Sequence, residues 1–200
     1  MGLFYYICFV KIIFLDIDGV LNCENAYKRG ECNYIKWNWE DGTEDHHQSF
    51  CSWSKNWLNK LIDETDAKIV ISSTWRSSGI EFMKKVWELE EMHGEIIGIT
   101  PNFRGDINGY TIPRGCEIDK WLEDNDFSHI NWDKDYQLNY MNKSGIDNYI
   151  IIDDDADMLY GQRNHFIHVL PSPRNKNGFD EKHYEEALKK LNKNVIELNY

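Results

Sequence analysis

Three short polar clusters each follow a short apolar run. Asp16-Ile17-Asp18-Gly19 follows Lys11–Leu15 (KIIFL), Ser72-Ser73-Thr74-Trp75-Arg76 follows Lys68–Ile71 (KIVI), and Asp153-Asp154-Asp155-Ala156-Asp157 follows Tyr149–Ile152 (YIII). On an extended chain residues i and i+2 point to the same side, so Asp16 and Asp18 face one point. Gly19 then allows a turn that a β-carbon would hinder. Taken singly, each cluster has a plain explanation, because an Asp or Ser after a strand commonly caps the next helix or closes an Asx turn. Gathered at one edge, acids raise each other's pKa unless a cation sits among them. Mg²⁺ suits such a place, since it takes hard oxygen ligands and keeps room for waters and a substrate phosphate. One carboxylate is then a candidate nucleophile for an aspartyl-phosphate, and a second a candidate acid and base.

What must bring the clusters together is a sheet. Between the apolar runs lie amphipathic stretches: Ser54–Asp63 with Trp57, Leu58, Leu61 and Ile62, Gly79–His93 with Ile80, Met83, Val86 and Trp87, and Gly115–Asn125 with Ile118, Trp121 and Leu122. Further apolar runs fall at Glu95–Ile99 and His165–Leu170, and a last helical pattern at Glu181–Leu191. Strand alternating with helix predicts an α/β fold, a Rossmann-like three-layer sandwich around a parallel sheet of about five strands. Its carboxyl edge collects all three clusters. Two polar, turn-rich segments interrupt the alternation, at about 23–50 and 126–147, and read as a small cap or loop insertion and a polar loop at the ligand end. The expected organisation is one domain over residues 1–200.

The stretch FLDIDGVLN (Phe14–Asn22) resembles the first motif of the haloacid dehalogenase (HAD) superfamily of phosphohydrolases, D-x-D-G after an apolar strand. IVISSTWR (Ile69–Arg76) is similar to the second motif and YIIIDDDADM (Tyr149–Met158) to the fourth. The likeness runs from about Lys11 to Phe179. SSTWR, the ITP of Ile99–Pro101 and RGCEIDKWL from Arg114 further resemble HAD domains associated with nucleic-acid (RNA) repair proteins. The resemblance implies Asp16 as nucleophile and Asp18 as general acid/base. It implies Ser72 on the phosphoryl oxygens, with Ser73 as the substitute if the strand ends one residue later. Gly19 and Arg76 join the phosphate site. It implies an Mg²⁺ held by Asp16, Asp18 (through its carbonyl) and Asp153, supported by Asp154 or Asp157. The third motif usually supplies a Lys. No Lys precedes the Glu117–Leu122 helix, so Arg114 takes that place, with Lys120 as the rival.

The resulting expectation is a Mg²⁺-dependent phosphatase with an aspartyl-phosphate intermediate. Its open site suits a bulky phosphorylated substrate, such as a polynucleotide end or a nucleotide. Two alternatives use the same residue types: a two-metal nuclease, and a receiver-like phosphoacceptor domain that is not an enzyme. The second is disfavoured because the D-x-D-G comes first in the chain and Asp18 is present to speed hydrolysis.

Bulk properties narrow the field. With 34 acidic against 22 basic residues the net charge is −12, a poor basis for non-specific nucleic-acid binding. Five cysteines (Cys8, Cys23, Cys32, Cys51, Cys116) form an odd set with no C-x-x-C, which favours reduced thiols and a cytoplasmic setting. The apolar run Gly2–Leu15 lacks a basic n-region and a small-residue cleavage site and is too short for a membrane span. It is expected to lead into the first core strand. Cys23, Cys32, His46, His47 and Cys51 raise the question of structural zinc, but their irregular spacing favours ordinary loop residues. Trp37, Trp39 and Trp53 in the same segment are expected to form a small satellite core rather than a stacking platform. No obligate protein partner and no membrane association are expected.

Overall fold

The computed structural model describes residues 10–23, 28, 30, 32–103, 112–127, 146–170 and 178–192. In chain order the elements are β1 (Val10–Leu15), β2 (Tyr34–Asn38), β3 (Glu44–Gln48), α1 (Ser52–Thr65), β4 (Lys68–Ile71), a 3₁₀ turn (Thr74–Ser78), α2 (Ile80–Leu89), β5 (Ile96–Ile99), α3 (Arg114–Leu122), a π-helical turn (Glu123–Phe127), β6 (Ile146–Asp153), a second 3₁₀ turn (Tyr160–Asn164), β7 (Phe166–His168) and α4 (Glu181–Leu191). Five strands form one sheet in the order β5-β4-β1-β6-β7, with every pairing parallel. From the central β1 the chain steps outward through β4 and β5, then crosses to the other side for β6 and β7. The strand order therefore reverses beside β1, which is where open α/β sheets form their ligand crevice.

The continuous apolar runs are explained by burial on both faces. Ile13, Leu15, Ile69, Ile71, Ile150 and Ile152 point to one face and pack with Leu58, Leu61 and Ile62 of α1, Met83, Val86 and Trp87 of α2, and Tyr184, Ala187 and Leu191 of α4. Ile12, Phe14, Val70, Tyr149 and Ile151 point to the other, against Ile118, Trp121 and Leu122 of α3. There Phe14 meets Trp121 and Tyr149 edge-on at 5.3 and 5.8 Å between ring centres, a favourable geometry for aromatic pairs.

Register decides what stands at the carboxyl edge. Leu15 is level with Ile71 on one side and Ile152 on the other. The Ser72 amide donates to the Leu15 carbonyl at 2.8 Å and the Asp16 amide to the Ile152 carbonyl at 3.0 Å. Asp16, Ser72 and Asp153 therefore leave the sheet at one level.

The predicted strands and helices stand where periodicity put them, with shifted ends. The expected Gly79–His93 helix stops at Leu89, because the Glu90 carboxylate is held by His47, Lys55 and the Phe50 amide and Glu91 turns the chain with φ 54°. The 23–50 segment contains an antiparallel hairpin, β2 with β3, that periodicity did not signal. Its Trp37 is buried and belongs to the main core rather than to a satellite of its own, with Trp39 packed against that core. Most of the 126–147 segment lies outside the described residues, as does Cys8.

Candidate active site

Asp16 is the first residue past β1 and Asp153 the last of β6, and both are buried. With Asp154 they offer three carboxylate oxygens within 4.8 Å of one another. Among the described residues a single cation from the protein stands with them. Arg114, the first residue of α3, places Nη1 3.2 Å from Asp16 Oδ1 and Nε 3.2 Å from Asp153 Oδ2. Arg114 thus stands between the two carboxylates at the sheet edge. Lys120 lies further along α3 and pairs with Glu123 and Asp124 at its surface.

The electrostatics follow from three acids facing one guanidinium. Burial pushes the Asp16 carboxyl up to about 6, against Arg114 and a hydrogen bond from the Ser73 hydroxyl, which favour the ionised form. Burial and then the Asp16 charge raise Asp153 to about 8. Burial works against the charged form of Arg114, but Asp153 and Asp16, joined by Asp157 and Glu117, outweigh it and raise its pKa.

How the chain holds Arg114 was not visible in sequence. Pro113 offers no side-chain cap to α3; Asp157 supplies it from across the gap. Its carboxylate accepts from the Arg114 amide at 3.0 Å and its carbonyl from the Gly115 amide at 3.3 Å. Asp157 therefore caps the helix that carries Arg114, rather than joining the three clustered carboxylates. Gln162 Nε2 donates to the Gly115 carbonyl at 2.9 Å. A β-carbon on Gly115 would sit 2.4 Å from the Leu159 amide nitrogen, so only glycine lets the helix start approach this loop.

Asp18 behaves differently from the i, i+2 expectation. The chain leaves the strand at once: the Ile17 carbonyl accepts from the amides of Val20, Leu21 and Asn22, closing a tight turn. Asp18 is exposed, and its carboxylate accepts from Trp75 Nε1 at 3.0 Å and from Thr74 Oγ1 at 3.5 Å. Its side chain is thus outside the Asp16, Asp153 and Asp154 triple; the metal contact expected of Asp18 is through its backbone carbonyl. Gly19 has φ +78°, and a β-carbon there would fall 2.1 Å from Asp154 Oδ2. Its amide donates to the Asn22 carbonyl at 2.8 Å, so Gly19 makes room for Asp154 and closes the turn rather than offering its amide to a phosphate.

Of the two serines, Ser72 is the one whose buried hydroxyl has no hydrogen-bond partner among the described residues. Ser73 is committed: its hydroxyl bonds Asp16 and accepts from the Trp75 amide at 3.4 Å, capping the 3₁₀ turn. Arg76 departs from the phosphate-binding role expected of it. Its guanidinium is buried on the Glu117 carboxylate and on the Ser73 carbonyl, the latter at 2.7 Å. Glu117 in turn accepts from the Phe103 amide at 2.9 Å. This pair fastens the second-motif turn to α3, and the SSTWR string disguised it as a phosphate ligand.

The residues fit a divalent cation. Three close carboxylates against the Arg114 guanidinium leave an excess of negative charge among the described residues, and Asp153 Oδ2, buried, has no partner there beyond its ion pair with Arg114. Buried acceptors are normally satisfied, and an oxygen-rich set of this kind suits Mg²⁺. The cysteines and histidines of the insertion form no comparable group among the described residues. Cys23 and Cys51 lie together, with Cys32 and Trp53 against them, while His47 pairs with Glu90.

A parallel α/β sheet with acids at the carboxyl edge of β1 and β6 and hydroxyls after β4 defines a Rossmann-like HAD fold. The family described as "HAD domain in Swiss Army Knife RNA repair proteins" matches residues 12–184, and the chain belongs to it. No curated protein matches the chain. No helix among the described residues is long and apolar enough to cross a membrane.

Proposed function

We propose that this HAD-type phosphohydrolase is a phosphomonoesterase that works through a phosphoaspartate on Asp16. The observation that carries the reading is the placement of Asp16, Asp153 and Asp154 within 4.8 Å at the sheet edge, with Arg114 bridging the first two. Asp16 attacks phosphorus while Arg114 holds its carboxylate ionised and oriented. The ester oxygen departs with a proton from Asp18, which Trp75 and Thr74 fix at the solvent side. Asp18 then takes a proton from the water that attacks the phosphoaspartate, and inorganic phosphate leaves with Asp16 restored. Ser72 has a hydroxyl to give to a phosphoryl oxygen. Asp16 and Asp153, with Asp154 beside them, would hold Mg²⁺, whose charge neutralises the phosphoryl oxygens. The family description, with its RNA repair proteins, supports a phosphorylated nucleic-acid end or nucleotide as substrate. A cytoplasmic setting without membrane association accords with the reduced, irregularly spaced cysteines.

The test is phosphate release from an aryl phosphate with and without Mg²⁺, followed by acid quench of a ³²P-labelled substrate. Label retained on wild-type protein and absent from Asp16→Asn supports the reading. Full activity in excess chelator overturns the metal assignment. Release of oligonucleotides in place of inorganic phosphate would establish a nuclease instead.

A further inference from the structure

Beside Asp18 lies a cleft of about 460 Å³ between the β2–β3 hairpin and the Thr74–Ser78 turn. Its volume falls within the range of small-molecule sites. Rings of Tyr34, His46, Trp75 and Phe82 line it, with Thr74 and Ser77 among the polar groups. Tyr34 presents its ring to this cleft from β2 and is 68% exposed. Two of the lining residues, Trp75 and Thr74, are the donors to the Asp18 carboxylate. The cleft therefore adjoins the side of the site where the proposed acid meets the leaving group.

From these features we infer that the cleft binds the base of a nucleoside monophosphate, so that the leaving group is a single nucleoside. This rests on the phosphomonoesterase reading above and narrows it. Flat rings with a few hydroxyls and ring nitrogens suit a planar heteroaromatic group, which stacks on aromatic faces regardless of its identity. Among the described residues no Lys or Arg lines the cleft, and the chain as a whole carries −12. A polynucleotide running through it would meet no cation for its next phosphate among these lining residues, and such contacts are the main source of affinity for a strand.

The experiment compares adenosine monophosphate, glycerol 3-phosphate and a 5′-phosphorylated oligonucleotide as substrates for wild type, Tyr34→Ala and Phe82→Ala. Wild type is expected to favour the mononucleotide over glycerol phosphate at least tenfold in kcat/KM. Tyr34→Ala should cut that preference by about fivefold, the worth of one stacked ring, chiefly through KM. Because Tyr34 is exposed, its removal does not threaten the fold. An unchanged preference in both variants overturns the inference, as does an oligonucleotide turned over faster than the mononucleotide. Should wild type release phosphate from none of the three, the phosphomonoesterase reading fails, and calorimetric titration with adenosine tests the cleft alone. Binding that Tyr34→Ala weakens keeps the subsite; no binding at millimolar adenosine removes it.

Discussion

Two buried acidic clusters in this protein are built on opposite principles. Beneath the hairpin, Glu90 accepts from His47 Nε2 at 2.9 Å, from the Phe50 amide at 3.0 Å and from Lys55 at 2.9 Å. Burial alone would raise its pKa, but these partners together outweigh it and hold the carboxyl below its ordinary value. At the sheet edge, burial of Asp16 and Asp153 is opposed by one shared arginine, and both carboxyls are raised. A fully partnered acid stabilises a fold; an under-compensated pair costs stability and keeps affinity in reserve for a cation and a phosphoryl group. The difference supports reading the Glu90 cluster as architecture and the Asp16 cluster as chemistry.

The sharpest break of this comparison is at Asp16. Asp16→Asn should lower phosphate release by on the order of 10⁴-fold or more, as loss of a nucleophile does. In chelator its unfolding temperature should be no lower than that of wild type, because the substitution removes a buried charge that its surroundings do not balance. A thermal melt beside the activity assay checks both. A variant that loses activity by unfolding would move Asp16 into the architectural class.

Next in size is Arg114. Arg114→Ala should reduce kcat by roughly 100-fold, rather than only raising KM, since its charge acts on the groups that change in the transition state. Arg114→Lys should restore part of the rate, a point charge replacing the electrostatics but not the two-pronged contact with Asp16 and Asp153. Steady-state kinetics of the two variants decides this.

The architectural cluster should respond in the other currency. Glu90→Gln is expected to cost about 2–4 kcal/mol of stability, because it removes the charge that balances Lys55 and leaves one acceptor oxygen where His47, the Phe50 amide and Lys55 now share two. Turnover per folded molecule should stay within twofold. The pH dependence has a definite sign. A carboxyl whose folded pKa lies below its unfolded value contributes stability that is present above the unfolded value, 4.5 here, and is lost as pH falls through the folded one. Wild-type melting temperature should therefore drop on acidification below about pH 4.5, and Glu90→Gln should flatten that part of the slope.

This contrast also explains what sequence could and could not reveal. Asp16 and Asp153 were legible because each ends an apolar run and strand register is set by two-faced burial, which brings Leu15, Ile71 and Ile152 level. The hairpin was not, because Glu44–Gln48 (EDHHQ) has no apolar residue and Tyr34–Asn38 (YIKWN) offers only Ile35 and Trp37 at alternate positions, too short a pattern to mark a strand. Arg76 and Arg114 look equivalent in sequence, each a basic residue near a motif. Only the fold shows that one is neutralised by Glu117 while the other faces the carboxylates. Trp75 and Thr74 passed as motif letters, because their contact with Asp18 depends on the sharp turn after Ile17. Asp157 as a cap for α3 joins residues more than forty apart and has no local signature.

The smallest expected effect is at Lys120, and it is the control for Arg114. Six residues of α-helix advance the chain by about 9 Å and turn it by about 600°, so Lys120 stands well along α3 and on another side from Arg114. Its ammonium lies 2.6 Å from Asp124 and 3.2 Å from Glu123, on a side chain with 41% exposure. Those two acids, rather than the cluster, raise its pKa. Surface pairs within one helix contribute little, and salt screens them further. Lys120→Ala should therefore leave kcat and KM within twofold of wild type, with Mg²⁺ dependence unaltered. A loss comparable to that of Arg114→Ala would transfer the third-motif role to Lys120, and would require α3 to sit differently against Asp157 and Gln162 during turnover. Near-wild-type rates for both variants would leave no cation from α3 acting on Asp16, and the contrast between the two acidic clusters would then rest on the metal alone.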